Sequence, residues 1–420
     1  MGVWDRRNLS KYLKKQARFD AFTQPSNRSA DLTVVIPCYG EEAISDTLLS
    51  LFDNEQIDNH VEIIVVINHG ENSDKSVKEL NYKSLIELKK IAKEAPNWCQ
   101  LLLIDLFDLP EKASGVGVAR KTGMDEAVRR LDESSGSDGI IVCLDADCTV
   151  ERNYFKSIIN GFNNHPGFVG ATLHFEHPLE TLYGAHRQAM AQYELYLRVH
   201  CHGLRWAGMP FGHYAVGSTI ACRVSAYCQA QGMSRKKAGE DFYFIQKILQ
   251  LGDLFYLNTT TVYPSARLST RTPFGTGPAL QQWLSESAYE PMHSYDSRCY
   301  ASLATLKKTL DDSVYPIDFD VFMKNIDLSL ADFFKQRGIS CHFDRFNRES
   351  KNYEDFLKRL FTWFNGFQGL KYIHTLTRMQ YPKQAIGTVA CRLLAEMEKS
   401  YQSCEIEALL EQFRSLDRLR

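Results

Sequence analysis

Two carboxylates, Asp145 and Asp147, stand one residue apart directly after the apolar run Ile140-Ile141-Val142-Cys143-Leu144. A buried strand ending this way delivers acidic side chains into the crevice where open α/β sheets bind ligands. Paired hard oxygen donors there suit Mg²⁺ or Mn²⁺, and such an ion suits a phosphate-bearing substrate. A second acidic pair, Glu240-Asp241, follows Gly239 further along the chain. Arg267 and Arg271 lie in the glycine-bearing stretch Tyr263 to Gly277. Their forked guanidinium groups could grip a diphosphate or an anionic acceptor, the plainer alternative being a surface loop with solvated arginines.

The elements that must position these groups are legible as alternation. Strand-like runs begin near Leu32, Val61, Leu101 and Ile140. Between them, Ile44, Leu48, Leu51 and Phe52 recur at helical spacing, as do Met124, Ala127, Val128 and Leu131. Strands alternating with helices predict βαβ units and a mostly parallel α/β sheet flanked by helices. The first strand ends Ile36-Pro37-Cys38-Tyr39-Gly40-Glu41-Glu42, where proline should stop the ladder, Tyr39 could meet a base, and the acidic pair could accept from a ribose or base donor. After the second strand, Asn68 could bond a base edge or cap its own turn. Gly115 to Gly123 opens a helix without the third glycine of a dinucleotide fingerprint. Arg120 and Lys121 near that helix start oppose the macrodipole, which an anionic ligand would justify.

The chain has 420 residues, so roughly two domains are expected, the larger about 250 residues. The segments read as a basic N-terminal helix over 1–30, an α/β domain over 31–290 and a helical C-terminal region over 291–420. A formal net charge of -2 argues against a nucleic-acid partner. Eleven cysteines without a C-x-x-C pair favour scattered reduced thiols, and no run approaches the ~20 apolar residues of a membrane span. The expectation is a cytoplasmic protein, with a peripheral membrane contact through the basic residues of 1–30 as the further alternative to a packed, solvated helix.

Val34-Val35-Ile36-Pro37-Cys38-Tyr39-Gly40-Glu41-Glu42, Gly117-Val118-Ala119-Arg120-Lys121-Thr122-Gly123 and Leu144-Asp145-Ala146-Asp147, in this order, resemble glycosyltransferase family 2 with its GT-A fold. Gly217-Ser218-Thr219-Ile220-Ala221-Cys222-Arg223 and Gly239-Glu240-Asp241-Phe242 extend the likeness. The resemblance implies a nucleotide-diphosphate sugar donor, a carbohydrate or lipid-linked acceptor, and Mn²⁺ or Mg²⁺ held by Asp147 with Asp145 assisting. It implies Asp241 as the catalytic base, beside Glu240. It also places Pro37, Tyr39, Glu41, Asn68, Arg120 and Asp145 on the donor side, where the residues themselves add Arg267 and Arg271. A single displacement by the acceptor hydroxyl would invert the anomeric carbon, by the geometry that separates inverting from retaining hydrolases.

Asn68-His69 stands where many members carry a uracil-pairing aspartate, so the base is left open. Asp145-Ala146-Asp147-Cys148-Thr149-Val150 also fits the signature of haloacid-dehalogenase-type phosphatases, with Asp145 as nucleophile and Asp311-Asp312 as the later acidic pair. That signature normally lies on a first strand, whereas three βα units precede it here. A non-catalytic nucleotide-sugar binding scaffold is the third class, against which the retained Asp147 and Asp241 weigh.

Overall fold

The computed structural model describes residues 6–15, 30–111, 114–134, 139–236, 239–268, 275–286, 291–401 and 403–420. Arg271 and most of the basic segment 1–30 lie outside them. Two compact units are present. The first comprises Met1–Pro178, Ala215–Pro278 and Asp417–Arg420, and the second Leu179–Tyr214 and Ala279–Leu416.

The first unit opens with α1 (Arg6–Lys15), then β1 (Leu32–Cys38), α2 (Ile44–Phe52), β2 (Val61–Gly70), α3 (Lys75–Ile91), β3 (Cys99–Leu109), α4 (Val116–Ser134) and β4 (Ile140–Cys143). There follow β5 (Thr149–Val150), α5 (Tyr154–Asn164) and β6 (Gly170–Phe175). After α6 (Gly184–Trp206), which belongs to the second unit, come β7 (Ile220–Arg223), α7 (Val224–Gln229), α8 (Glu240–Ile248) and β8 (Leu254–Tyr263). The strand order is β3-β2-β1-β4-β7-β6-β8-β5. Strands β1 to β4 are parallel and β6 is parallel to β8, while β7 runs antiparallel between β4 and β6. This is the mostly parallel α/β sheet expected from the alternation.

The order reverses at β1, which sends the chain outward to β2 and β3 and receives β4 on its other side. That reversal is a topological switch point, where crossover helices leave opposite faces and a crevice opens at the strand ends. β1 and β4 are in register from Leu32↔Ile140 to Val35↔Cys143, so the loops carrying Tyr39, Glu41, Asp145 and Asp147 emerge side by side. Pro37 does not stop the ladder: it stays in β1 opposite Val66, and Cys38 continues opposite Ile67. Neither does β2 end at Asn68, since the strand runs on to Gly70 past an irregularity in its pairing with β3.

The helical periodicity translates directly into packing. Met124, Ala127, Val128 and Leu131 of α4 are all buried against the sheet with Val35, Ile64, Val66 and Ile141. Burying a methionine, valine, leucine or isoleucine side chain in this way is worth roughly 1.5–3 kcal/mol. A Cβ at Gly123 would stand 2.4 Å from Val35 Cγ1 and 2.9 Å from Val66 Cγ2, so only glycine lets α4 lie this close. Across the same interface, Arg130 donates to both carboxylate oxygens of Glu62 at 2.8 and 2.7 Å, with both residues buried.

α1 turns its apolar face inward, burying Leu9 and Tyr12 while Lys11, Lys14 and Lys15 remain exposed. The Tyr12 hydroxyl donates to Asp125 Oδ1 of α4 at 2.6 Å and accepts from Lys121 at 2.9 Å. The apolar stripe that could enter a bilayer is therefore occupied by the protein core, and any surface contact by α1 would rest on its lysines. Among the described residues no helix is long and apolar enough to cross a membrane.

Among its described residues the second unit is helical apart from a short antiparallel pairing of Gln384-Ala385 with His293-Ser294. The chain threads through it as α6 long before the C-terminal helices, and buried Glu194 of α6, which also accepts from Arg198 of the same helix at 2.9 Å, joins the two parts by accepting from Arg414 at 2.8 Å.

Because a buried carboxylate–guanidinium pair is costly to break from one side, Glu62→Gln is expected to lower the unfolding free energy by roughly 3–5 kcal/mol. Urea denaturation followed by tryptophan fluorescence checks this.

Candidate active site

The acidic turn after β4 is held from several directions. The Cys148 N–H closes back onto the Asp145 carbonyl at 3.2 Å, and the Thr47 hydroxyl of α2 donates to the Ala146 carbonyl at 3.0 Å. Beyond it, β5 pairs antiparallel with β8, matching Thr149 with Tyr263. Glu151 strengthens that pairing by accepting from the Thr261 N–H at 3.0 Å and the Tyr263 hydroxyl at 3.1 Å. The chain that leaves β8 therefore starts next to the acidic turn, which is how Arg267 reaches it.

Arg120 is the centre of the arrangement. It lies in the first turns of α4 and is almost wholly buried. Its Nη2 donates to Asp145 Oδ1 at 2.5 Å and its Nη1 to Glu240 Oε1 at 2.5 Å. Burial pulls the guanidinium pKa down, but Asp145 and Glu240 push it further up, so the net shift is upward. The misplaced charge at a helix start is thus explained by two carboxylates of the protein itself. A Cβ on Gly217 would stand 2.8 Å from Arg120 Nη2, so glycine there leaves the guanidinium its room. Lys121 turns away from the crevice to Asp125, at 2.9 Å.

Asp241 follows Glu240 in the first turn of α8, after Gly239 with its positive φ of 70°. Its Oδ1 accepts the Phe242 N–H at 2.7 Å. Burial and the neighbouring Glu240 push its carboxyl up to about 6, Arg120 opposing them. Asp147 is likewise pushed up to about 6, first by burial and then by Asp145, with Arg267 opposing.

Arg267 forms the second bridge. Its Nη1 donates to Glu41 Oε1 at 2.6 Å, its Nη2 to Glu41 Oε2, and the same Nη2 lies 2.9 Å from Asp147 Oδ2. Glu41 is buried and also accepts the Ala43 N–H at 3.0 Å. Its carboxylate therefore faces an arginine and the start of α2 in this structure.

On the other flank, the Asn68 side chain is buried, and neither its Nδ2 nor its Oδ1 has a hydrogen-bond partner among the described residues. The polar work around it is done by Asn81 of α3, which donates to the Asn68 carbonyl at 3.0 Å and accepts the Gly40 N–H at 2.8 Å. His69 stacks on Phe107 with ring centroids 4.5 Å apart. Tyr39 is half-buried, its hydroxyl 3.5 Å from Ser73 Oγ, and Pro37 is buried in β1.

Glu41, Arg120, Asp145, Asp147, Glu240 and Arg267 thus form two arginine-bridged carboxylate groups, joined through the Asp145–Asp147 turn. Asp241 adjoins the Arg120 group, while Asn68, Tyr39 and Pro37 lie on the first two strands and the loop after β1. Asp311 and Asp312, the later pair of the phosphatase reading, end a helix of the second unit, where Asp311 pairs with Lys307. Thr47 and Asn81 emerged only with the fold, as did the room that Gly217, already part of the family likeness, leaves for Arg120. Of the first two, Asn81 alone left a trace in the sequence, as a polar residue on the inward face of an otherwise amphipathic helix.

The donor set fits a divalent ion of the Mg²⁺ or Mn²⁺ kind. Among the described residues no three His, Cys, Asp or Glu side chains form a closed metal cage. Such ions are, however, commonly held by one or two carboxylates together with substrate phosphates, and Asp145 and Asp147 supply such a pair at the tip of β4.

Residues 33–215 match the model of the family described as Glycosyl transferase family 2. This segment belongs to that family. It contains Pro37, Tyr39, Glu41, Asn68, Arg120, Asp145 and Asp147, while Glu240, Asp241 and Arg267 come after it. No curated protein matches the chain. Among solved structures it is similar to S. aureus TarS 1-349 in complex with UDP-GlcNAc, at 13% identity and a TM-score of 0.38, covering 92% of this chain and 90% of that one. It is also similar to the mannosyltransferase PcManGT from Pyrobaculum calidifontis in complex with GDP-Man and Mn²⁺, at 13% identity and a TM-score of 0.37, covering 98% and 93%.

A carboxyl raised from an ordinary 3.8 to about 6 holds its proton more tightly folded than unfolded, so its stabilising contribution is complete below the ordinary value and is lost as pH rises through about 6. Asp147→Asn is therefore expected to stabilise the ligand-free protein by about 1–3 kcal/mol at about pH 8 and to change little at about pH 3. Chemical denaturation at the two pH values measures the difference.

Proposed function

We propose that this glycosyltransferase family 2 chain transfers a sugar from a nucleotide-diphosphate donor to an acceptor hydroxyl, with inversion and with the help of a divalent ion. The observation that carries the reading is the Arg120 bridge. It ties Asp145, on the metal and donor side at the tip of β4, to Glu240, whose neighbour Asp241 begins α8.

Asp147, with Asp145 beside it, would hold Mn²⁺ or Mg²⁺, and the ion would supply positive charge to the leaving diphosphate. The remaining chemistry falls to the chain's own groups. Asp241 takes the acceptor proton as the hydroxyl attacks the anomeric carbon, and a carboxyl held near 6 is well suited to accept it at neutral pH. Arg120 orients Glu240 through their ion pair, which fixes the first turn of α8 and with it Asp241. One base and one displacement invert the anomeric centre. Asn68 offers an unpaired donor and an unpaired acceptor to a base edge, and Tyr39 offers an aromatic face. Arg267 supplies a cation to the diphosphate, and Arg271 is assigned to the same role from sequence. The acceptor is a carbohydrate or lipid-linked hydroxyl; the 31–290 and 291–420 segments are read as the transferase part and a helical appendage.

Asp147→Ala is expected to abolish metal-dependent transfer, measured as nucleotide release from a panel of UDP- and GDP-sugars with Mn²⁺. Intact, metal-independent transfer by this variant would remove the site assignment. Asp241→Asn should leave donor affinity in place while lowering turnover by ~10²-fold or more. In the wild type, turnover should rise with pH through about 6 as Asp241 loses its proton. A rate flat from about pH 5 to 8 would assign the base elsewhere.

A further inference from the structure

Arg267 does more in this chain than wait for a phosphate. Its guanidinium sits on Asp147 and Glu41 together, with one Nη shared between them and the other committed to Glu41. Glu41 is almost fully buried and Asp147 largely so, whereas the arginine is about one-third exposed. Two inward-facing carboxylates are thus neutralised by a cation that enters from the solvent side. Glu41 is anchored by the Ala43 N–H and Asp147 by the turn after β4, so the movable partner is the arginine.

We propose, on the footing of the function above, that Arg267 is an internal counter-ion standing in for the divalent ion at Asp147, and that it is drawn off by the diphosphate of the donor. Metal and nucleoside diphosphate then enter as a coupled pair. Without the diphosphate, a metal ion must displace the guanidinium from Asp147 and leave it beside a second cation. With the diphosphate present, the guanidinium gains phosphate oxygens, a geometry its planar fork matches, and Asp147 is released. A site whose competent state is scarce binds its ligand more weakly by the fraction of that state, and the first ligand to populate it lifts the penalty. Coupling of this kind is reciprocal, so the metal must tighten diphosphate binding by the same factor. The chain would then hold no metal idle in the absence of donor, and Arg267 acts as a positioning residue for both ligands.

The test uses the full chain with Mn²⁺ alone, followed by electron paramagnetic resonance and calorimetry, and then Mn²⁺ with UDP or GDP. Arg267→Ala should bind Mn²⁺ without nucleotide roughly 10-fold more tightly than wild type, while binding the nucleoside diphosphate more weakly. Arg267→Lys, whose single ammonium cannot bridge both carboxylates in the same way, should fall between them and guards against a folding defect in the alanine variant. An arginine that was merely structural would weaken both ligands when removed. Equal Mn²⁺ affinity of wild type and Arg267→Ala, abolished in both by Asp147→Asn, would overturn the counter-ion while leaving the site in place. Mn²⁺ binding that survives Asp147→Asn in either background would overturn the site reading itself.

Discussion

The buried guanidinium of Arg120 is the contact on which the arrangement depends. Moving a charge of this size out of water costs several kcal/mol, and the cost is met only when the partners are close, anionic and well oriented. Arg120 meets that condition with Asp145 from the tip of β4 and Glu240 from the start of α8, both at 2.5 Å. The two segments are separated in sequence by β5, α5, β6, the whole of α6, β7 and α7. Among the described residues no backbone pairing joins the Asp145 turn to the α8 start directly, and a forked side chain with two usable ends does so. A lysine would have to draw both carboxylates to one nitrogen, whereas the guanidinium offers each its own. Gly217 belongs to the same solution, since any Cβ there would press on the guanidinium.

The bridges also set the charge of the crevice. Among the described residues Glu41, Asp145, Asp147, Glu240 and Asp241 face Arg120 and Arg267, and burial first, then the neighbouring carboxylates, push Asp147 and Asp241 up to about 6. A crevice of this kind repels a bare diphosphate and welcomes one accompanied by cations. The same imbalance strains the ligand-free fold, as expected where carboxylates are arranged for work on a ligand rather than for stability.

Much of this was legible in the residue pattern. The four strand starts near Leu32, Val61, Leu101 and Ile140 fall within β1 to β4, and the helical spacing of α2 and α4 reappears as their buried faces, because short-range periodicity reports directly on which side meets the core. The strand-end rule brought the first-strand loop and the acidic turn together for the same reason. Arg120 could be singled out as a charge at odds with its helix dipole, but not matched to its partners, since ion pairing across distant segments leaves no local spacing. Thr47 was invisible on that ground too, since a hydroxyl on a helix has many uses, and Gly217 was legible as part of a family motif but not as the space for Arg120. The place of α6 with the C-terminal helices depends on contacts such as Arg414 with Glu194, which no window along the chain can contain.

Asn68 shows how a departure from a family pattern can be read as chemistry. Both its amide nitrogen and its carbonyl oxygen are buried without partners, and each such group costs about 1–3 kcal/mol while it stays unpaired. An aspartate here would present acceptors only and would add a further negative charge near a crevice that already carries an excess. Asparagine is neutral and presents one donor and one acceptor in a fixed planar geometry, which is complementary to a base edge offering an N–H beside a carbonyl. In the proposed reaction its two open valences are filled when the donor binds, so part of the energy withheld from folding at this position reappears as selectivity for the base.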